Sequence, residues 1–176
     1  MTRVLVTGFL PFGRQGINPS GGLALEVHGA VLDDVHVVSA LLPVSYVRAP
    51  QALRAVAARV GASAILAMGL AADRPRVSVE RRAHGAPGPR LDEDGLADAG
   101  YGVDVSALPW AEAVAAALDA DLSDDAGRFV CNRVASHLAT LDLPTAFVHV
   151  PAQGLEIAAL HRAIRVLAGQ GASAAR

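Results

Sequence analysis

Short runs of aliphatic and β-branched residues alternate with helical patterns along almost the whole of this chain. The strand-like runs span residues 3–8, 34–43, 63–70, 76–82 and 144–151. The helical patterns span residues 21–29, 46–61, 109–121, 129–141 and 154–169. Strands that alternate with helices build a mainly parallel sheet with helices on both faces. The sequence therefore predicts an α/β fold, a three-layer αβα sandwich with a mainly parallel, twisted central sheet.

The length of the chain suits one domain around a single core, which we expect to span residues 1–176. Residues 170–176 follow the last helical pattern and are expected to form a flexible tail. The N-terminal run is too short and too strand-like to be a signal peptide. One cysteine cannot form an internal disulfide, so we expect a reducing, cytoplasmic compartment.

Composition excludes several classes of function. All fifteen basic residues are arginines, so the chain has no lysine for a Schiff base, for pyridoxal phosphate or for a P-loop. The net charge is -2 and no basic stripe is present, so nucleic acid is not an expected partner. No apolar run approaches the ~20 residues that span a bilayer, so no membrane partner is expected.

Three predicted strands end at residues that are unusual in a buried sheet. Gly8 precedes a loop rich in proline and glycine, Gly69 precedes another turn, and His149 stands at the end of an apolar run. In α/β sheets, ligands bind at the carboxyl ends of the strands, so these three ends define a site if they share one edge. The Gly-, Pro- and Asp-rich residues 84–104 form a long loop, of a kind that is usually functional or mobile.

The only cysteine, Cys131, stands at the start of a helical pattern, after a turn at Gly127. A helix N-terminus favours a thiolate, and its unpaired N–H groups can bind an oxyanion. A cysteine nucleophile also needs a base, and the base needs an orienting acceptor. His149, held rigidly at a strand end, is the best-placed base, and Glu80 is the only glutamate in a strand-like segment.

Structural roles for the same residues stay open at this point. Cys131 could be a small core residue, and His149 a hydrogen-bonded structural histidine. Glu80 could pair with Arg81 or Arg82 on a solvated face. The motifs around these residues have to decide between the two interpretations.

Four separated segments carry those motifs. VLVTGFLPFGRQGINPS (4–20) contains an opening strand, a Gly-Phe-x-Pro-Phe-Gly loop and a following Asn-Pro-Ser. RVSVERR (76–82) contains the glutamate, AGRFVCN (126–132) the cysteine turn, and FVHVP (147–151) the histidine strand. In order and rough spacing, from residue 4 to residue 151, they resemble the pyroglutamyl peptidase I family, also called pyrrolidone carboxylate peptidases.

The resemblance implies a cysteine exopeptidase that removes N-terminal pyroglutamate from small peptides, with a Cys–His–Glu triad, no cofactor and no metal. Carried over by position, Cys131 is the nucleophile, and His149 is the general base and then the acid for the leaving amine. Glu80 orients the imidazole. Because the family is often tetrameric, the resemblance also implies a homotetramer.

The resemblance also assigns a substrate pocket, whose expected residues are Phe9, Phe12, Asn18, Leu70, Arg90, Phe129 and Val130. The three phenylalanines would hold the flat lactam ring, and backbone groups of Val130 would meet its amide. Asn18 would brace the first loop, and Arg90 would lie near the oxyanion. Since pyroglutamate has no charged amine, an apolar slot suits it better than an acidic pocket.

The chain departs from the family pattern at several positions. Leu70 replaces a glutamine that often contacts the lactam, which predicts weaker affinity or altered specificity. Asp124 and Asp125 add negative charge near Cys131, which opposes thiolate formation unless both carboxylates point to solvent. The loop at residues 84–104 is shorter than in the family.

Three alternatives to the pyroglutamyl peptidase are kept. A relative with another blocked or lactam-like substrate is suggested by Leu70. A catalytically silent binding module is suggested by the altered loops, although Cys131, His149 and Glu80 are intact. A nucleotide-binding domain is disfavoured because Pro11 interrupts the G-x-G-x-x-G spacing after the first strand.

Overall fold

The computed structural model describes residues 1–13, 16–100 and 106–174. Its strands are β1 (Thr2–Phe9), β2 (Val31–Leu32), β3 (Val35–Leu42), β4 (Ala64–Leu70), β5 (Ser78–Glu80), β6 (Arg82–Ala83), β7 (Ser106–Ala107), β8 (Asp121–Ser123) and β9 (Thr145–Val150). Its helices are α1 (Pro19–Glu26), α2 (Arg48–Val60), α3 (Ala111–Leu118), α4 (Val130–Leu138) and α5 (Ile157–Ala174). None of these helices is long and apolar enough to cross a membrane.

Most strands belong to one mixed sheet with the order β2-β3-β1-β4-β9-β5-β8. Its centre, β3-β1-β4-β9, is parallel throughout, so the carboxyl ends of β1, β4 and β9 lie on one edge, as predicted. Strand β5 runs antiparallel to β9, and β2 runs antiparallel to β3. Strands β6 and β7 form a separate antiparallel pair.

The central strands are buried on both faces, which explains their nearly continuous apolar sequence. On one face, residues such as Val4 and Val148 pack against α1, α3 and α5. On the other face, residues such as Leu5 and Phe147 pack against α2 and α4. The predicted three-layer αβα sandwich is therefore confirmed, and α4 lies on the same face as the side chain of Phe147.

Several predicted element boundaries are wrong. The predicted strand at 76–82 is divided, because β5 ends at Glu80 and the chain then leaves the sheet to form β6. The predicted helix at 109–121 ends at Leu118, and Asp121–Ser123 form an edge strand instead. Helix α5 continues to Ala174, through most of the residues predicted as a tail, and residues 175 and 176 lie outside the described ranges.

We predict that Gly8 cannot carry a side chain, because the first turn of α1 crosses the end of β1 there. A Cβ atom at Gly8 would lie 2.0 Å from the carbonyl oxygen of Ser20. Gly8→Ala should lower the free energy of unfolding by about 3 kcal/mol, measured by denaturant titration. The matched control is Gly22→Ala, because no atom lies within 4 Å of its new methyl group. That variant should be neutral or up to about 1 kcal/mol more stable, and equal losses in both variants would contradict the close approach.

Candidate active site

A cavity of about 310 Å³ opens at the carboxyl edge of β1, β4 and β9. It brings together nine of the site residues predicted from the sequence: Phe9, Phe12, Asn18, Leu70, Arg90, Phe129, Val130, Cys131 and His149. The tenth, Glu80, is fully buried and contacts the site through His149. No group of three or more His, Cys, Asp or Glu side chains that could hold a metal ion is found among the residues that the structure describes.

His149 is the penultimate residue of β9. It pairs with Gly69 of β4 on one side and with Ser78 of β5 on the other. Its Nδ1 atom lies 2.7 Å from Oε1 of Glu80, and its ring packs edge-on against Phe147 with 5.1 Å between the ring centres. Because an ionised carboxylate can only accept, Nδ1 carries the hydrogen in this contact. The other ring nitrogen, Nε2, is then unprotonated in the neutral ring and is available as a base at the cavity.

Glu80 stays ionised although its side chain has no exposed surface. Burial alone would raise the pKa of Glu80, but the hydrogen bond and charge of His149, together with the Arg74 charge, lower that pKa below its usual value. Both partners meet the same oxygen, since Nη1 of Arg74 lies 2.6 Å from Oε1. The alternative in which Glu80 pairs with Arg81 or Arg82 is wrong, because both of these arginines pair with Asp124.

Arg74 is a site residue that the sequence analysis missed. Besides Glu80, its guanidinium donates to the hydroxyl of Ser78 and, at 2.6 Å, to the carbonyl oxygen of Asp125. The available signal was the position of Arg74 in the turn between β4, which ends at Leu70, and β5, which ends at Glu80. A buried carboxylate needs a cation, and this turn holds an arginine six residues before it.

Cys131 is the second residue of α4, and its sulfur rests against the backbone of β4 at Gly69. A Cβ atom at Gly69 would lie only 2.6 Å from the sulfur, so this strand position must be glycine for the cysteine to fit. Phe129 precedes α4 in extended conformation, and its side chain makes no capping hydrogen bond. The N–H groups of the first helical turn thus remain available to an oxyanion.

The expectation of a resting thiolate at Cys131 is wrong. Burial of the thiol, reinforced by the negative charge of Glu80, raises the pKa of Cys131 to about 12. Desolvation therefore outweighs the partial positive charge of the helix N-terminus. The additional aspartates are not the cause, because Asp124 pairs with arginines and Asp125 contacts Nε2 of His84 at 3.2 Å.

The long loop is tied to the cysteine helix by the two residues that follow Cys131. Asn132 accepts a hydrogen bond from the backbone N–H of His84 and donates to the carbonyl of the same residue, at 2.7 and 2.8 Å. Arg133 pairs with Asp98, whose side chain is 1% exposed. The loop is thus anchored at both ends of its described part, 84–100, and residues 101–104 of the predicted loop lie outside the described ranges.

The same loop places Arg90 over the Phe129 ring, with 4.5 Å from the guanidinium carbon to the ring centre. The hydroxyl of Tyr46 donates to the carbonyl oxygen of Arg90 at 2.9 Å, and the Tyr46 ring meets Phe129 edge-on. Phe12 approaches Phe129 from the first loop, with ring centres 6.1 Å apart. Asn18 holds that loop by donating to the carbonyl oxygen of Leu10 while its own oxygen caps α1.

Comparison with known proteins gives one consistent result. The family model described as pyroglutamyl peptidase matches residues 2–163. The pyrrolidone-carboxylate peptidase of Streptomyces coelicolor is 36% identical over 170 residues, which cover 86% of this chain and 78% of the relative. The corresponding protein of Mycobacterium marinum is 33% identical over 189 residues, covering 94% and 84%.

Solved structures give the same picture. Pyroglutamyl peptidase I from Bacillus amyloliquefaciens is similar in fold, with a TM-score of 0.83 at 24% identity and 98% of each chain covered. Pyrrolidone carboxyl peptidase from Thermococcus litoralis has a TM-score of 0.81 at 25% identity, covering 99% of this chain and 94% of the other.

The raised pKa of Cys131 predicts slow alkylation at neutral pH. Because Cys131 is the only cysteine, iodoacetamide labelling followed by mass spectrometry reports on it alone. With a pKa of about 12, the rate in the folded protein should rise about tenfold per pH unit across pH 8 to 10 without levelling off. The same thiol in denaturant should level off above its ordinary pKa of 9.0. A plateau below about pH 8 in the folded protein would contradict this prediction.

Proposed function

Because the chain belongs to the pyroglutamyl peptidase family of cysteine peptidases, we propose that it removes N-terminal pyroglutamate from peptides by means of Cys131, His149 and Glu80. The observation that carries this proposal is the 2.7 Å contact between Nδ1 of His149 and Glu80, at the cavity that Cys131 also lines. A nucleophile, a base at the same cavity and an acceptor behind the base are the parts that acyl transfer through a thiol requires.

The attack on the substrate begins from neutral partners. Since the pKa of Cys131 is raised to about 12, the thiol is protonated at neutral pH. Nε2 of His149 takes this proton while the sulfur bonds to the carbonyl carbon of the pyroglutamyl residue. The carbonyl oxygen becomes an oxyanion, which the N–H groups at the start of α4 receive. The negative charge of Glu80 stabilises the imidazolium that forms.

The second half of the reaction returns the proton. The imidazolium of His149 gives it to the leaving amine as the carbon–nitrogen bond breaks, and the pyroglutamyl group remains on the sulfur as a thioester. Water, deprotonated by the same imidazole, then attacks the thioester carbon and releases pyroglutamate. His149 passes the proton back to the sulfur, and both residues regain their starting state.

The cavity has the composition that a neutral lactam ring requires. Phe9, Phe12 and Phe129 supply apolar walls, and Arg90 is drawn to the Phe129 ring rather than to a carboxylate. Asp73 and Asp125 also line the cavity, but both are exposed to solvent and Asp125 contacts His84. A charged N-terminal amine held between the phenylalanine rings would lose its hydration, whereas the uncharged ring of pyroglutamate enters at little cost. This difference supports selection for blocked over free N-termini.

The rest of the peptide has room beside the ring. A second, more open cleft of about 420 Å³ adjoins the cavity and shares Phe12, Leu70 and Arg90 with it. It continues over Gly13 and Ala72 toward solvent. We propose that the residues after pyroglutamate lie there, which suits an exopeptidase that accepts varied peptides. By family resemblance we also propose a single domain that acts as a homotetramer in the cytoplasm.

The first test is hydrolysis of a fluorogenic pyroglutamyl amide. The wild type should release the amine, and Cys131→Ser should lose at least about 1000-fold in kcat/KM because the hydroxyl is a much weaker nucleophile in this setting. His137→Gln is the matched control, since His137 lies on the same helix outside the cavity. An inactive but folded wild type would overturn the proposal, as would full activity in Cys131→Ser.

A second candidate function, hydrolysis of another blocked or lactam-like substrate, is favoured by Leu70. This side chain lines the cavity where the family resemblance places an amide side chain. If pyroglutamate is the substrate, Leu70→Gln should lower KM for the pyroglutamyl amide several-fold with little change in kcat, because it adds a ground-state hydrogen bond. A higher KM in Leu70→Gln would instead indicate a ligand that is more apolar on this side.

A further inference from the structure

Arg74 lines the cavity and contacts both halves of the site, Glu80 on one side and the segment before α4 on the other. We propose that Arg74 is a positioning residue: its guanidinium fixes the Glu80 carboxylate for His149 and ties that carboxylate to the segment that leads into Cys131. The inference rests on the proposed function for its kinetic test, and a second test below does not depend on it.

The contacts of Arg74 are those of a clamp. Nη1 lies 2.6 Å from Oε1 of Glu80 and also donates to the hydroxyl of Ser78, while Nη2 lies 2.6 Å from the carbonyl oxygen of Asp125. The arginine side chain is 25% exposed, and the carboxylate it holds is 0% exposed. A planar guanidinium can reach three acceptors in one plane, which a lysine ammonium cannot do with the same geometry.

The shared oxygen sets the strength of the His149–Glu80 contact. Arg74 and His149 both donate to Oε1, so the carboxylate charge is divided between a permanent cation and the imidazole. Without the Arg74 charge, the buried carboxylate of Glu80 is harder to keep ionised. An imidazolium at His149 is then no longer repelled by the guanidinium and no longer shares the Glu80 oxygen with it. Both changes keep protons on the pair at higher pH, which removes the unprotonated base that the reaction needs.

The bond to Asp125 extends the clamp toward the nucleophile. Asp125 precedes Ala126 and the Gly127 turn, and its side chain accepts from the N–H of Gly127 at 2.9 Å. The chain then passes through Phe129 into α4 and Cys131. Arg74 thereby connects the turn after β4 with the segment before α4. Leu70 at the end of β4 and Ala71 in that turn both line the cavity.

The charged and titratable groups around the clamped pair come from every neighbouring segment: Asp73, His84, Arg90, Asp125, Arg128 and Cys131. These groups are unchanged in an Arg74 variant. If substitution of Arg74 shifts the pH profile of kcat/KM and substitution of a nearby arginine does not, the contacts of Arg74 with Glu80 and Asp125 are the cause.

Arg76 supplies the matched control, because it lies two residues further on and pairs with Asp121 at 2.9 Å rather than with Glu80. Arg76→Gln removes the same unit of charge from the same turn. Arg74→Gln removes the charge and the clamp, and Arg74→Lys keeps the charge while it loses the planar fork.

The kinetic test is the pH dependence of kcat and KM on the fluorogenic pyroglutamyl amide. In Arg74→Gln we expect kcat to fall about 10- to 100-fold with KM within about twofold, and the acid limb of kcat/KM to move up by about one pH unit. Arg74→Lys should leave the limb in place and give an intermediate kcat. Arg76→Gln should match the wild type. An unshifted limb in Arg74→Gln, or an equal shift in Arg76→Gln, overturns the proposal.

Thiol alkylation provides the readout that does not need substrate turnover. The Arg74 charge lowers the pKa of Cys131, against the larger effect of burial, so Arg74→Gln should alkylate several-fold more slowly than the wild type at each pH. Equal rates would overturn the proposal even if the enzyme proved to act on another substrate. If Arg74→Gln does not fold, Arg74→Lys decides: reduced kcat with an unshifted limb supports the clamp, and wild-type kcat overturns it.

Discussion

The ionised carboxylate of Glu80, enclosed within the protein, is the constraint that organises the rest of the site. A buried charge must be compensated, and His149 and Arg74 compensate it from two different segments at a single oxygen. The antiparallel entry of β5 makes this arrangement possible. Ser78 pairs with His149, so Glu80, two residues on, lies deeper in the sheet, at the level of Phe147. The carboxylate is thereby shielded from water while the imidazole in front of it reaches the cavity.

The surroundings of Cys131, the proposed nucleophile, determine its protonation state. The absence of a side chain at Gly69 lets the sulfur of Cys131 settle against the sheet, and this burial keeps it protonated at rest. A protonated thiol is less prone to modification by oxidants and alkylating agents than a thiolate. In the proposed reaction, His149 activates the sulfur only when a carbonyl group is in position to receive it.

Much of this could be predicted from sequence because it depends on local patterns. The αβα sandwich follows from alternating apolar runs, and Cys131 and His149 were proposed from the start of a helix and the end of a strand. The seven pocket residues came from the family resemblance, and all seven line one cavity together with Cys131 and His149. The remainder depends on distances across the fold. Arg74 could not be paired with Glu80 before the direction of β5 was known, and the divided strand at 76–82 concealed that direction. The protonation of Cys131 was mispredicted because the helix-terminus argument took no account of desolvation.

The loop anchored by Asn132 and Arg133 has a consequence for how this protein can diversify. Asn132 and Arg133, which fix the two ends of the described loop, directly follow Cys131 in sequence. The loop at the wall of the cavity and the cysteine helix are therefore expected to vary together in evolution. Between the anchors, Tyr46 holds Arg90 and Asp92 by hydrogen bonds, whereas the side chains of Leu91 and Leu96 are exposed. Exchange of these exposed side chains between homologues would change the surface beside the cavity while the sulfur of Cys131 stays in place. A loop exchange that replaced His84 or Asp98 would disturb both the cavity wall and the position of Cys131.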